Sequence, residues 1–226
     1  MKKAFYISLL FSCLLIILSG CNNSSSINEP DNTIKGSGRL ITQERNVSEC
    51  TGINLRYAGN VYIKQDSVQS IMVEADDNII NNVVTQSVDG ILSAGLTNGS
   101  YSNVTVKIYV SLKSIESLTI QGAGNITTQN QIISNSLECI INGAGDIYLV
   151  GSGNSLYCII NGAGNINAFD FEAGSCRVKI VGTGNCYVHA KESLAALITG
   201  VGNIIYAGDP ANVSSSVTGV GNITSR

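Results

Sequence analysis

The sequence predicts an all-β fold, a β-solenoid of coils about 19–20 residues long with a more irregular, strand-rich N-terminal part. Three observations carry this prediction. One phrase recurs six times in the second half, as Gly122-Ala-Gly-Asn-Ile126, Gly143-Ala-Gly-Asp-Ile147, Gly162-Ala-Gly-Asn-Ile166, Gly182-Thr-Gly-Asn-Cys186, Gly200-Val-Gly-Asn-Ile204 and Gly219-Val-Gly-Asn-Ile223. The first glycines of successive copies lie 21, 19, 20, 18 and 19 residues apart, the spacing of a stacked repeat. Apolar residues also alternate ahead of the phrase: Leu137, Cys139 and Ile141; Leu156, Cys158 and Ile160; Cys176, Val178 and Ile180; Leu194, Ala196 and Ile198. The first and last copies are weaker, with Glu116, Leu118 and Ile120, and with Val213, Ser215 and Val217. Alternation of period two marks half-buried strands. Finally, 24 glycines, no tryptophan and only 13% charged residues favour strands and turns over helices.

In chain order, residues 1–20 have the layout of a secretory signal. Lys2 and Lys3 precede an apolar run, Ala4 to Leu18, too short and wrongly flanked for a membrane span. Leu18-Ser19-Gly20-Cys21 resembles a lipobox, where bacterial lipoproteins are lipidated on the cysteine and cut before it. The plainer alternative is a signal cleaved near Gly20. Two or three acyl chains on Cys21 would hold the protein on a membrane, since one chain alone binds marginally. Residues 21–35 cannot build a core and read as a flexible tether. Losing Lys2 and Lys3 with the signal leaves 11 basic against 16 acidic residues, a net charge of about −5. That balance, with no basic cluster, argues against nucleic acid or an anionic lipid surface as partner.

Residues 36–116 read as more varied strands at 55–65, 70–75, 91–96 and 104–112. Asp89-Gly90 is a hairpin signal between Ile79–Val88 and Ile91–Leu96. This part is expected to be partly antiparallel and to cover the N-terminal end of the stack. Residues 117–226 are the solenoid itself. Each coil reads as a strand, a tight Gly-x-Gly-Asn corner, a second short strand from Ile126, Ile147, Ile166, Cys186, Ile204 or Ile223, and a looser turn. One coil cannot bury its apolar side alone; six stacked at ~4.8 Å make a column roughly 25–30 Å long with a continuous core. Corners stacked on identical corners call for positive φ and no side-chain bulk, hence glycine.

Asn125, Asp146, Asn165, Asn185, Asn203 and Asn222 are expected to form a structural ladder along the corners, with Asp146 able only to accept while ionised. Tyr57-Ala-Gly-Asn-Val61 is a degenerate copy upstream, and Gly151-Ser-Gly-Asn154 reads as a turn at another corner. The chain stops three residues after Ile223 with no polar capping segment, so the last coil is expected to leave an unpaired edge suited to self-association.

The corner phrase, the lipobox, and Gly36-Ser-Gly-Arg39, Arg45-Asn-Val-Ser48, Gly59-Asn-Val-Tyr-Ile63 and Val73-Glu-Ala-Asp-Asp77 together resemble the bacterial GIN-domain family, which is named as an auto-transporter adhesin head. The resemblance covers about residues 36–226. It implies a right-handed β-helix-like fold and little about chemistry.

Candidate sites are few. With Cys13 lost and Cys21 lipidated, Cys50, Cys139, Cys158, Cys176 and Cys186 remain, an odd number without a CxxC pair. That supports neither a zinc site nor a disulfide framework, although pairing of some stays open. Cys139 and Cys158 share a coil position also filled by Leu118, Val178 and Ala196, so they read as small core hydrophobes, as do Cys176 and Cys186. Cys50 falls in a loop without an assigned role. Polysaccharide-cleaving β-helices need clustered carboxylates. Here Asp170 and Glu172 could meet Arg177 or Lys179 across a turn, and a surface ion pair explains that equally well. His189 is the only histidine, which leaves no His-based metal site and no Ser-His-Asp triad. Five of six corner residues are neutral Asn, which argues against calcium; Asp76-Asp77 could ligate a cation or begin a turn. No catalytic residue, metal or cofactor is expected.

Tyr148 and Tyr187 occupy the same outward position of coils two apart, roughly 10 Å along the column, where tyrosine faces can hold sugar rings. The plainer alternative is tyrosines that simply decorate exposed strands. The expected function is a cell-envelope lipoprotein of the outer membrane whose non-catalytic solenoid binds a glycan or protein surface. A structural, self-associating envelope protein and a polysaccharide-active enzyme are the alternatives. Asn22–Ser26 lacks the acidic run that marks surface export in some lipoproteins, and the side of the membrane stays open.

Overall fold

The computed structural model describes residues 32–226. The expected signal at residues 1–20, the lipidation site Cys21 and tether residues 22–31 lie outside the described residues, and at the end of the tether Ile34–Lys35 pair with Tyr101–Ser102. From there the chain runs through β1 (Ile34–Lys35), β2 (Leu40–Arg45), β3 (Gly52–Leu55), β4 (Asn60–Gln65) and β5 (Ser70–Asp76), then a single 3-10 turn (Ile80–Asn82). It continues through β6 (Val83–Val88), β7 (Ile91–Leu96), β8 (Tyr101–Ser102) and β9 (Val106–Leu112). The repeats supply β10 (Ser117–Ile120), β11 (Ile126–Thr128), β12 (Ile132–Ile141), β13 (Ile147–Ile160), β14 (Ile166–Ile180), β15 (Cys186–Ile198), β16 (Ile204–Ala207), β17 (Asn212–Val217) and β18 (Ile223–Ser225).

The result is an all-β solenoid. Ahead of the corners, β7, β3, β10, β12, β13, β14, β15 and β17 lie side by side, each parallel to the next. Past the corners, β9, β4, β11, β13, β14, β15, β16 and β18 do the same. The stack therefore begins upstream of Ser117. The degenerate Tyr57–Val61 copy is a corner of the same series, because Ala58 bridges Ala123, and Ala144, Ala163, Thr183, Val201 and Val220 follow in turn. The chain before and between those first two corners also adds antiparallel strands on the N-terminal side of the stack, joined to its members β7 and β9. There β5 pairs β9, β2 pairs β5, and β6 pairs β7. Asp89 (φ 50°) and Gly90 (φ 75°) close the β6–β7 hairpin, and two consecutive positive φ angles match the right-handed twist of the flanking strands.

Gly151–Asn154 is not a free turn. It runs inside β13 and pairs with Ile132–Ser134 on one side and Phe171–Ala173 on the other. Irregular register after Tyr148, Ala168 and Ala173 lets β13 and β14 bend there without leaving the ladder.

The corners explain the glycines. Gly164 has φ 150°, and a Cβ placed on it would sit 1.8 Å from the carbonyl oxygen of Gly145 in the preceding coil. Gly145 N–H in turn donates to Ala163 O at 3.0 Å, while Ala163 N–H donates to Gly143 O at 2.9 Å. Backbones this close leave no room for a side chain.

Inside, residues repeat in columns. Leu118, Cys139, Cys158, Val178 and Ala196 form one, and Ile120, Ile141, Ile160, Ile180 and Ile198 another, all buried. Past the corner, Val61, Ile126, Ile147, Ile166, Cys186 and Ile204 form a third, each fully buried. Burial of each aliphatic side chain contributes roughly 1.5–3 kcal/mol against about 1 kcal/mol net for a hydrogen bond. The columns thus supply stability and the corners supply register. At the far end every residue of β17 is exposed, and among the described residues β17 pairs with β15 alone and β18 with β16 alone.

Gly164→Ala is expected to lower stability by roughly 3–5 kcal/mol, through clash at a positive φ. Gly90→Ala, with φ 75° and nothing within 4 Å of the new Cβ, is expected to cost only about 1–2 kcal/mol. Urea denaturation midpoints of the two variants measure the contrast.

Candidate functional site

The corner residues form a continuous chain of side-chain oxygens that cap the next coil's amide. Asn60 Oδ1 accepts from Asn125 N–H at 3.2 Å, Asn125 Oδ1 from Asp146 N–H at 2.9 Å, and Asp146 Oδ1 from Asn165 N–H at 2.7 Å. The series continues as Asn165 to Asn185, Asn185 to Asn203 and Asn203 to Asn222, each at 3.0 Å. A second rail runs beside it, because Asn165, Asn185 and Asn203 also donate Nδ2–H to the oxygen below, at 2.9, 3.1 and 3.0 Å. Asp146 serves as an acceptor in both rails and has no side-chain N–H to return to Asn125, only its backbone amide.

Asp76 and Asp77 tie the chain down. Buried Asp76 accepts from Gly38 N–H at 2.7 Å and Thr105 N–H at 2.8 Å. Asp77 accepts from Ser37 Oγ at 2.5 Å and from the Arg39 guanidinium, and these bonds hold its carboxyl below the usual carboxylate range. Gly36-Ser-Gly-Arg39 and Val73-Glu-Ala-Asp-Asp77 are thus two halves of one contact.

Past the corners, the outward row next to the ladder is aromatic. Across the strands it reads Met72, Tyr109, Tyr62, Thr127, Tyr148, Asn167, Tyr187, Ile205 and Thr224. Tyr148 and Tyr187 face outward two strands apart, roughly 10 Å. Tyr148, 41% exposed, donates its hydroxyl to Asp146 Oδ2 at 3.2 Å; partial desolvation, then the Asp146 carboxylate, push its phenol above the ordinary value. Tyr187 packs edge-on against Phe169 with centroids 5.3 Å apart, and Phe169 lies in the irregular stretch of β14 after Ala168. Tyr62 and Tyr109 stack at 5.3 Å and 22°. The offset that marks Tyr148 and Tyr187 also marks Tyr62 after the upstream corner, whereas Tyr109 follows no corner phrase and joins the row only through pairing.

Ahead of the corners the outward face differs. Ser136, Ser155, Ser175, Ser193 and Asn212 form a polar column seven residues before each first glycine. Two positions on, the row is Glu138, Tyr157, Arg177, Ala195 and Ser214. Between these rows lies a trough of about 830 Å³ bordered by Tyr157, Arg177 and the serines. The same offset count that exposed the apolar alternation would have found the serines.

Acid/base residues do not converge. Glu172 pairs with Lys191 of the next coil at 3.2 Å, both exposed. It does not reach Arg177 or Lys179, because Gly174 and the bend after it turn those two onto the other face. No group of three or more His, Cys, Asp or Glu side chains suited to a metal occurs among the described residues. The five described cysteines are buried and unpaired. Burial pushes the Cys176 thiol up to about 12 and Cys139 and Cys186 well above the ordinary thiol value, so these three stay protonated at neutral pH. Cys50 is buried too, and its N–H donates to Gln69 Oε1 at 2.9 Å.

The family described as "Putative auto-transporter adhesin, head GIN domain" matches residues 49–210. A solved structure described as a "putative adhesin" from Bacteroides fragilis is 24% identical, with a TM-score of 0.71, covering 85% of this chain and 100% of that one. Another so described, from Parabacteroides merdae, is 20% identical with a TM-score of 0.55, covering 86% and 99%. A "putative lipid binding protein" from Parabacteroides distasonis is 23% identical with a TM-score of 0.50, covering 86% and 99%. At these identities the likeness concerns the fold. No curated protein matches the chain.

Asn185→Ala removes the acceptor for both the N–H and the Nδ2–H of Asn203, leaving a half-buried amide unpaired. The expected loss is about 1–3 kcal/mol, read from the denaturation midpoint.

Proposed function

The chain belongs to the head GIN-domain family of auto-transporter adhesins, and on that premise we propose that it is a cell-envelope binding module whose tyrosine face engages glycans. The observation that carries this reading is the outward row from Tyr109 to Tyr187, laid on a sheet that the corners keep in register. Tyrosine supplies a large apolar face at little conformational cost and a hydroxyl for polar contact. Tyr148 and Tyr187 stand two strands apart, roughly 10 Å, with Asn167 between them, a spacing that suits an extended chain of rings better than a single small molecule. Neither outward face gathers the carboxylates that glycoside cleavage requires, so the reading is binding without turnover.

The row is tested on a panel of immobilised envelope and host glycans. Tyr148→Ala combined with Tyr187→Ala is expected to weaken retention about tenfold, ~1.4 kcal/mol. Retention by no glycan, or equal retention by the double variant, overturns the reading.

Anchoring to the outer membrane by lipid on Cys21 completes the proposal, supported by Leu18-Ser19-Gly20-Cys21. Cys21→Ser is expected to move the chain from the membrane fraction to the soluble fraction. A variant that stays with the membrane rules the anchor out.

A further inference from the structure

Most cations among the described residues are engaged. Arg39, Lys64, Lys107, Lys113 and Lys191 form ion pairs with Asp77, Asp66, Glu74, Glu49 and Glu172. Arg45 donates to Ile80 O at 2.8 Å, and Arg56 and Arg226 lie over the rings of Tyr57 and Phe169. Arg177 and Lys179 have no such partner. They stand two residues apart on β14 and both point outward, between buried Cys176, Val178 and Ile180. That spacing puts them roughly 6–7 Å apart along the strand. Glu138 is the one carboxylate in their rows, two strands from Arg177 with Tyr157 between them.

The surface around these cations is hollow. The trough of about 830 Å³ beside the serine column continues into a second hollow of about 310 Å³ that reaches Lys179. The two share Tyr157, Arg177, Ala195 and Ser214. Ala195 makes the depression: its methyl lies between Arg177 on β14 and Ser214 on β17, where a longer side chain would fill the floor. Each hollow by itself falls in the size range of small-molecule sites, and together they exceed it, as an extended ligand would require.

We propose that this trough is a second binding site, built for a saccharide chain that carries carboxylates. Arg177 presents a planar fork of donors that matches a carboxylate in bidentate fashion, and Lys179 adds a second positive charge one sugar-sized step along the strand. Ser155, Ser175 and Ser193 line the neighbouring edge; Ser155 and Ser175 donate to Ser136 Oγ and Asn154 O, which leaves their oxygens to accept from sugar hydroxyls. Tyr157 supplies a ring beside the charge. The chain carries a formal net charge of −3, so its overall field repels a polyanion. Physiological salt screens that repulsion beyond about 8 Å, and the local Arg177–Lys179 pair decides the contact. The site lies on the opposite side of the Gly-x-Gly-Asn corner from the tyrosine row and does not depend on it.

The test uses the full chain purified in detergent, at physiological salt, with four probes: polygalacturonate, dextran sulfate, neutral dextran and polyglutamate. Polygalacturonate is expected to bind, with Arg177→Ala weakening it about tenfold or more, Arg177→Lys falling between, and the Tyr148/Tyr187 double variant unchanged. No binding of polygalacturonate, or equal binding by Arg177→Ala, overturns the site. Equal binding of neutral dextran or dextran sulfate overturns carboxylate selectivity, and equal binding of polyglutamate overturns the saccharide assignment.

Discussion

The whole molecule depends on how closely one corner backbone lies against the next. Where a Cβ would stand on Gly164, the preceding coil already has a carbonyl oxygen, and the same holds at Gly124, Gly145, Gly184, Gly202 and Gly221. Contact this close admits one vertical spacing and one register. A strand slip by one residue would turn every buried side chain outward, and the glycine corners forbid it. From that restriction follow the aligned columns inside, the asparagine rails beside the corner and the aligned rows outside.

Given fixed register, inward and outward positions separate their tasks. One inward column runs through Leu118, Cys139, Cys158, Val178 and Ala196, a wide range of volumes for residues that are all buried. A solenoid tolerates this because each column is packed against its neighbours in the same coil as well as the coils above and below. The cysteines belong to that tolerance, and their burial makes the thiols inert. Outward positions carry no such duty. That is why Tyr148, Asn167 and Tyr187 alternate freely along one row while Glu138, Tyr157, Arg177 and Ala195 do so along another.

The repeat was legible because its signals are local: a glycine spacing near twenty and apolar alternation both sit within single coils. The aromatic row was half legible, through Tyr148 and Tyr187. What escaped depends on contacts made far along the chain. The upstream Tyr57–Val61 corner adjoins Gly122–Asn125 only because residues 66–116 build the neighbouring layer with β7 and β9 on its other side before the chain returns, and no local pattern in that stretch announces a return. The partner of Glu172 is Lys191 in the next coil, and a stacking neighbour is invisible to a reading that seeks partners across a turn. Asp76 and Asp77 resemble a cation site in isolation; only their contacts with Gly38, Ser37 and Arg39 reveal that they fasten the entering segment. Gly151–Asn154 spells a corner yet lies in a paired strand, because neighbouring coils offer it backbone partners on both sides.

The asparagine rails have a direction: each side-chain oxygen faces the amide of the coil that follows. A coil bearing its own Gly-x-Gly-Asn phrase therefore brings one acceptor and consumes one, leaving the hydrogen-bond count of its neighbours unchanged. Duplication of such a unit lengthens both outward faces by one strand spacing, ~4.8 Å, without disturbing either end. The length of each outward face in this architecture is accordingly a stepped quantity, set by how many coils a gene encodes, while the chemistry displayed at each step is set by single outward residues.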